Sequence, residues 1–205
     1  MIRLCLLLLS LALPAHATVD AWPAVHYVVG VAADDVLNIR SEPSADSEII
    51  GSFPHDAEGI EVMRTTDDLR WGLVNTGEQR GWVSMAYMER GPGQWDGFPF
   101  ALTSCFGTEP FWTLRVGETW ELWEQNGGAM TAPAVELMLS VDRRDRHAAM
   151  SIAEDGRPAA LVVVAQQCWD GMSDREYGLG TSLIVGAGDT MEFYSGCCTI
   201  GSYED

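Results

Sequence analysis

The chain has 205 residues, of which 47% are hydrophobic, and its 30 acidic residues outnumber 12 basic ones for a net charge of −18. This length allows one or two domains at about 100–200 residues each, and the hydrophobic fraction is sufficient for a packed core. The negative charge argues against nucleic acid and anionic membrane surfaces as partners, because both would repel the protein. We therefore expect neutral, cationic or peptidic partners; the alternative is that the acidity only keeps the protein soluble in its habitat.

The first seventeen residues have the pattern of a secretory signal peptide. Arg3 gives a positive start, residues 4–13 are almost all apolar, and Ala15-His16-Ala17 offers small residues for cleavage. The apolar run is shorter than the roughly 20 residues that cross a bilayer, and no later segment is long enough. We predict a signal peptide at 1–17 and a periplasmic or secreted mature protein without a transmembrane segment. A retained anchor is the alternative.

Residues 24–90 show short apolar runs bounded by Gly, Pro, Asn or Asp, which is typical of a small β-barrel. The predicted strands are residues 27–29, 36–40, 49–53, 59–63, 71–74 and 81–83. Pro43 excludes a helix in the turn that follows the second of these strands.

The order of motifs in this region resembles the bacterial SH3 family, also called SH3b. That family has L-N-V-R-x-x-P-S, then a strand with Gly, then W-x-x-V, G-W-V and an aromatic residue near its end. The corresponding residues are Leu37-Asn38-Ile39-Arg40-Ser41-Glu42-Pro43-Ser44, Gly51, Trp71-Gly72-Leu73-Val74, Gly81-Trp82-Val83 and Tyr87. The resemblance implies an SH3-like barrel, and the aromatic groove of this family often binds cell-wall peptides or glycans.

The same resemblance implies a ligand face on the first domain that contains Trp71, Trp82 and Tyr87. Glu42 belongs to an acidic rim that would suit a cationic stem peptide. Both tryptophans also lie in strand motifs that the fold itself requires. Packing in the core is therefore the alternative role for them.

Residues 91–99 are rich in Gly and Pro and are predicted to be a linker. Residues 100–205 then form a second, cysteine-containing domain with further strand patterns. These are residues 111–116, 119–124, 134–141, 147–152, 160–166, 181–185 and 191–194. No window has a helical period, so we predict an all-β protein, with a small SH3-like barrel followed by an antiparallel β-barrel or sandwich of about seven strands.

Four cysteines remain after Cys5 is removed with the signal peptide: Cys105, Cys168, Cys197 and Cys198. An even number in an exported chain predicts two disulfides. Because a bond between neighbours 197 and 198 is geometrically awkward, each should pair with Cys105 or Cys168, and the sequence leaves open which. A redox or soft-metal site at the vicinal pair is the alternative.

Two segments of the second domain, 105–112 and 168–177, are dense in polar and aromatic residues and are not expected to form strands. With Gly196-Cys197-Cys198, they resemble an uncharacterised bacterial envelope family with the motifs G-[TN]-E-P-F-W, C-x-D-G-M-S-D and G-C-C. This resemblance implies an exported or membrane-linked domain and no established activity.

The two segments also predict a small ligand pocket with a few polar groups between aromatic walls. Its candidate residues are Glu109, Trp112, Trp169, Asp170, Ser173, Asp174, Arg175 and Tyr177. The alternative is a tight turn stabilised by bonds from side chains to the backbone.

Enzymatic patterns are weak in this sequence. It contains no G-x-S-x-G and no C-x-x-C, and His147 is the one histidine after residue 100. We predict a non-enzymatic exported binding or adaptor protein with no cofactor and no metal, whose SH3-like domain engages peptidoglycan or an envelope protein. The alternatives are an accessory subunit of a cell-wall hydrolase and a thiol- or metal-binding envelope protein.

Overall fold

The computed structural model describes residues 21–125 and 127–203, and the predicted signal peptide lies outside them. Strands dominate the described residues and are joined by turns and two short 3-10 segments, Met85–Tyr87 and Gly188–Thr190. The all-β prediction is therefore confirmed. No helix in these residues is long and apolar enough to cross a membrane.

The first domain contains eight strands in two antiparallel sheets. The strands are β1 (Ala24–Val28), β2 (Val36–Arg40), β3 (Ile49–Pro54), β4 (Ile60–Val62), β5 (Arg64–Thr65), β6 (Trp71–Thr76), β7 (Gln79–Ser84) and β8 (Met88–Arg90). One sheet has the order β3-β2-β7-β6-β5 and the other β4-β1-β8. Apolar side chains such as Ile39, Phe53, Val74 and Val83 fill the space between them.

The β6–β7 hairpin positions the residues that matter most below. Asn75 pairs with Arg80 and Thr76 with Gln79, so the loop consists of Gly77 and Glu78. Gly77 has φ of 50°, a left-handed conformation that glycine adopts without strain. Because Trp71 lies opposite Ser84 and Leu73 opposite Trp82, the register places both tryptophans on one face of the hairpin.

The second domain is a single antiparallel sheet in the part of the chain that the structure describes. Its strands are β9 (Ser104–Thr108), β10 (Phe111–Val116), β11 (Thr119–Glu124), β12 (Ala129–Pro133), β13 (Met138–Leu139), β14 (Arg146–Ile152), β15 (Pro158–Cys168), β16 (Tyr177–Val185) and β17 (Glu192–Thr199). Their order is β12-β11-β10-β9-β17-β16-β15-β14-β13.

The sheet curves so far that β12, at one edge, meets β14, the strand next to the other edge. The Ser151 hydroxyl of β14 donates to the Pro133 carbonyl of β12 at 2.8 Å, and the Glu154 amide donates to the Thr131 carbonyl at 3.0 Å. The inner face of this curved sheet holds large apolar side chains, including Trp112 and Trp120. The domain is thus closer to a barrel than to a sandwich of two sheets.

The hairpin predicted around Gly117-Glu118 is confirmed, but two other strand expectations are wrong. Residues 134–141 form no continuous strand, because β13 pairs with β14 at Met138 and Leu139 alone, and Val141 is fully exposed. The alternating pattern there finds no neighbour to pair with over most of its length. Conversely, residues 105–112 were expected to be irregular, yet they lie in β9, β10 and the turn between them.

The four cysteines form two disulfides, as predicted, and the structure resolves the pairing. Cys105 bonds Cys198, 93 residues away, and joins the neighbouring strands β9 and β17. Cys168 bonds Cys197, 29 residues away, and links the end of β15 to β17 across β16. All four sulfurs are engaged, so the vicinal pair offers no thiolate for redox or metal chemistry.

The two domains also touch through their connecting segments. Residues 91–99 contain no strand, but the Gln94 side chain accepts from the Val25 amide at 2.6 Å and donates to the Val25 carbonyl at 2.9 Å. At the other end of the chain, Tyr203 packs edge-on against Phe53 of the first domain, with ring centroids 5.0 Å apart. The assignment of 91–99 as an interdomain linker stays a prediction.

Candidate functional site

The irregular loop between β15 and β16, residues 169–176, docks on the β6–β7 hairpin of the first domain. The Asp174 amide donates to the Glu78 carbonyl at 3.0 Å, and the Arg175 guanidinium donates to the Gly77 carbonyl. Asn75 holds the backbone of Glu176 from both sides: its amide donates to the Glu176 carbonyl at 2.9 Å and its side-chain oxygen accepts from the Glu176 amide at 3.1 Å. This loop is therefore positioned by the first domain as well as by its own strands.

The Glu176 side chain closes the contact with an ion pair to two arginines. Its carboxylate lies 2.9 Å from the Arg64 Nε and 3.2 Å from an Arg80 Nη. The Glu176 side chain is 1% exposed, whereas the arginines are 45% and 48% exposed. A carboxylate removed from water in this way needs close cations to offset its lost hydration. The pairing therefore fixes the relative position of loop and hairpin.

Within the loop, Asp170 organises the turn. Its Oδ1 accepts from the amides of Met172 and Ser173, both at 2.9 Å, and its Oδ2 accepts from the Ser173 hydroxyl at 2.8 Å. Partial burial acts to raise the pKa of Asp170, but these bonds and the charge of Arg175 outweigh it and lower the pKa below its ordinary value. The Thr108 hydroxyl also donates to the Asp170 carbonyl at 2.7 Å. The loop is thus preorganised before any ligand arrives.

Docking of the loop creates a cleft of about 540 Å³ between the domains, which we call the interdomain cleft. The first domain contributes Ser41, Gln79, Arg80 and Trp82, and the second contributes Trp169, Ser173 and Asp174. Each domain therefore supplies one indole ring, together with polar side chains around it. The volume falls within the about 300–1,000 Å³ that is typical of small-ligand sites.

The two indoles differ in their surroundings. Trp169 is 53% exposed, so its ring is open to a ligand. Trp82 is half-buried, and the Arg64 guanidinium lies 5.2 Å from the centroid of its ring. This cation–π contact and the ion pair of Arg64 with Glu176 hold Trp82 in place. Trp82 is consequently the indole held by its neighbours, and Trp169 is the indole open to solvent.

The structure separates the four candidates on the first domain. Trp82 lines the interdomain cleft, whereas Trp71 is half-buried on the same hairpin face outside the lining. Tyr87 is exposed in a 3-10 segment, and Glu42 is exposed in the loop between β2 and β3; neither lines the cleft.

Seven of the eight candidates on the second domain line one of three surface cavities, and the eighth, Trp112, lies in the core. Trp169, Ser173 and Asp174 line the interdomain cleft, and Glu109 and Asp170 line a neighbouring depression that shares Trp169. Arg175 and Tyr177 line a third cavity at the domain junction.

Trp112 faces the core and lines none of these depressions. It is buried, and its indole N–H is directed at the Ser195 carbonyl at 3.3 Å. Its place on the inward-facing side of β10 accounts for this.

Sequence reasoning missed four residues that shape the cleft: Ser41, Gln79, Arg80 and Glu176. Gln79 and Arg80 directly precede the G-W-V motif and face the loop only because the second domain docks there. The partners of Glu176 are 96 and 112 residues away, and no local pattern marks such a pair.

Comparison with known families adds one result. Residues 35–89 match the bacterial SH3 domain family. The matched segment runs from the residue before β2 into β8 and so includes Ser41, Gln79, Arg80 and Trp82 of the cleft. No curated protein matches the chain. The likeness of residues 100–200 to an envelope family stays a prediction.

The SH3 match and the disulfides are consistent with the same kind of location, outside the cytoplasm. A bacterial SH3 domain is a binding domain and fits a role at the cell wall. Disulfides form and persist in oxidising compartments outside the cytoplasm. Both features are typical of extracytoplasmic proteins.

Proposed function

We propose that this protein is a non-enzymatic, exported binding or adaptor protein of the cell envelope, whose SH3 domain holds a fragment of peptidoglycan in the interdomain cleft. The observation that carries the proposal is the cleft itself, in which Trp82 of the SH3 domain and Trp169 of the second domain line one cavity with Asp174. The second domain completes a site that the SH3 domain begins.

The chemistry of the lining suits a glycopeptide. Indole rings pack against the apolar faces of sugars and against peptide groups, and their large area gives much contact for little conformational entropy. Ser41, Gln79 and Ser173 supply neutral hydrogen-bonding groups, and Asp174 supplies a carboxylate for an amide or ammonium group. A net charge of −18 also favours neutral or cationic ligands over anionic ones.

Binding fits the residues of the cleft better than catalysis does. The lining contains no histidine or cysteine, and its one carboxylate, Asp174, has no second carboxylate in the lining to act with it as an acid–base pair. Cys197 and Cys198 are both disulfide-bonded, which removes the support for a thiol or metal protein.

A sedimentation assay with isolated sacculi tests the proposal. Protein starting at Thr18 should co-sediment with sacculi, and Trp169→Ala and Asp174→Asn should each reduce the bound fraction. Trp123→Ala is the matched control, because Trp123 is an exposed tryptophan of the second domain outside the cleft. Zymography on the same material separates binding from hydrolysis. Lysis of sacculi by the pure protein, or binding that is insensitive to both cleft variants, contradicts the proposal.

A further inference from the structure

A further cavity lies at the end of the barrel where β10 and β17 begin and β11 ends. It has a volume of about 530 Å³ and is lined by Pro110, Phe111, Glu124, Gln125, Glu192, Phe193 and Tyr194. None of these residues lines the interdomain cleft, so the two cavities are separate. We call it the barrel-end cavity. The mouths of β-barrels are a common place for small-ligand sites.

Glu124 is the unusual residue of this cavity. In β11 every second side chain points inward, and Trp120, Leu122 and Glu124 occupy these inward positions in turn. Glu124 is 5% exposed and lies opposite the core residue Trp112. A carboxylate thus stands where the strand pattern leads one to expect an apolar side chain. A buried carboxylate without a cation is costly, so its presence calls for a partner.

The described residues supply no such cation. Across residues 21–125 and 127–203, no arginine or histidine forms an ion pair with Glu124 or Glu192. None of the described residues that line the cavity is basic. The sequence contains no lysine at any position, so no side chain of this protein can provide an ammonium group.

Tyr194 lies in the same cavity as the two carboxylates. Burial and the neighbouring Glu124 and Glu192 raise the pKa of its phenol, because a phenolate there would be desolvated and repelled. A phenol has one proton and can donate it to one carboxylate at a time. The other carboxylate keeps its acceptor capacity for a donor from outside.

The walls of the cavity suit an organic cation. Phe111 and Phe193 are large apolar residues that are both exposed, and both line the same cavity as Glu124 and Glu192. Aromatic faces attract cations, and carboxylates accept the N–H groups of an ammonium ion. Calcium and magnesium instead require about six or more oxygen ligands, which this aromatic lining does not supply.

We propose that the barrel-end cavity binds an organic ammonium ion, whose N–H groups are held by Glu124 and Glu192 and whose alkyl chain packs against Phe111 and Phe193. This site is independent of the interdomain cleft. Its failure would leave the cleft proposal untouched, and the reverse also holds.

Isothermal titration with n-butylammonium chloride tests this site on the protein starting at Thr18, with n-butanol and calcium chloride as comparison ligands. Saturable binding of butylammonium is expected, with no binding of butanol. Glu192→Gln should weaken the affinity by about tenfold, equivalent to about 1.4 kcal/mol, through loss of one charged partner. Phe193→Ala should weaken it severalfold.

A control variant and the two comparison ligands make the outcome decisive. Glu118→Gln removes the same charge from an exposed turn outside the cavity and should leave the affinity unchanged. Glu192 and Phe193 are exposed, so their variants test the site even where Glu124→Gln disturbs folding. Absence of saturable butylammonium binding, equal binding of butanol, or binding of calcium in its place overturns the proposal.

Discussion

The Glu176 carboxylate of the second domain accepts a hydrogen bond from the Arg64 Nε of the first domain at 2.9 Å, across 112 residues of sequence. Arg80 binds the other oxygen at 3.2 Å and also lines the interdomain cleft. The ion pair that joins the domains therefore adjoins the proposed ligand site. Any change in the pairing should alter both the stability of the protein and the shape of the cleft.

Glu176→Gln should lower the free energy of unfolding by about 2 kcal/mol. Breaking a fully buried pair costs about 3–5 kcal/mol, and the half-exposed arginines here can return to water, which reduces the loss. Urea denaturation, monitored by tryptophan fluorescence, measures this change in the free energy of unfolding. Asp189→Asn, at an exposed position in a 3-10 segment, should leave the midpoint within error. Equal midpoints for Glu176→Gln and the unchanged protein would show that the pair adds no stability.

Glu61→Gln should stabilise the protein at pH 7 and lose this advantage as the pH falls toward 4. Burial raises the pKa of Glu61 above its ordinary value, against the lowering effect of the Thr199 hydroxyl and the amides of Gly201 and Ile200. No residue in the described part of the chain donates a hydrogen bond to its buried Oε1. Between the unfolded and the raised folded pKa the native state holds more protons, so stability falls as pH rises through that interval.

Melting temperatures of both proteins at several pH values between 4 and 8 measure the effect of Glu61. The Gln variant should melt at the higher temperature at neutral pH, and the two curves should converge on acidification. A variant that is less stable than the unchanged protein at every pH would show that the ionised Glu61 is favourable in the folded state.

Asp170→Ala should loosen the docked loop. Three hydrogen bonds within the turn are lost, each with a net worth of about 0.5–1.5 kcal/mol. Hydrogen exchange of the Met172 and Ser173 amides should accelerate, and the bound fraction in the sacculus assay should fall, because Ser173 and Asp174 lose their fixed positions. Asp155→Ala, in another turn of the second domain, is the control for binding. Unchanged exchange at both amides would contradict this account.

Maleimide labelling of the unreduced protein starting at Thr18 should detect no free thiol.

Both disulfides are part of the folded second domain, and reduction should lower its stability. In the chain-entropy model, the loop of 93 residues closed by Cys105 and Cys198 is worth about 4.6 kcal/mol. A melting temperature that does not change on reduction would contradict this.

The sequence predicted the features that depend on neighbouring residues. The hairpin at Gly117-Glu118 could be foreseen because turn chemistry and strand alternation are local signals. The even number of cysteines predicted two disulfides, because this prediction needs only their number and an exported chain. The partner choice of Cys197 and Cys198 could not be predicted, because it depends on which strands become neighbours of β17 in the sheet.

The candidate site was predictable only in part for a related reason. Trp82, Trp169 and Asp174 were identified as chemically suitable, but their meeting in one cleft depends on the docking of two domains. At residues 134–141, by contrast, the sequence predicted a strand that the structure does not contain over most of its length. Their alternation is that of a strand, yet a strand also needs a partner, and β14 offers one along only two residues.

Cys197 and Cys198 adjoin each other in β17, the last strand among the described residues. Both covalent links need this strand, and the first strand of the second domain, β9, pairs with it directly. Loss of β17 alone would therefore remove both cross-links at once, and with them the strand that β9 pairs with.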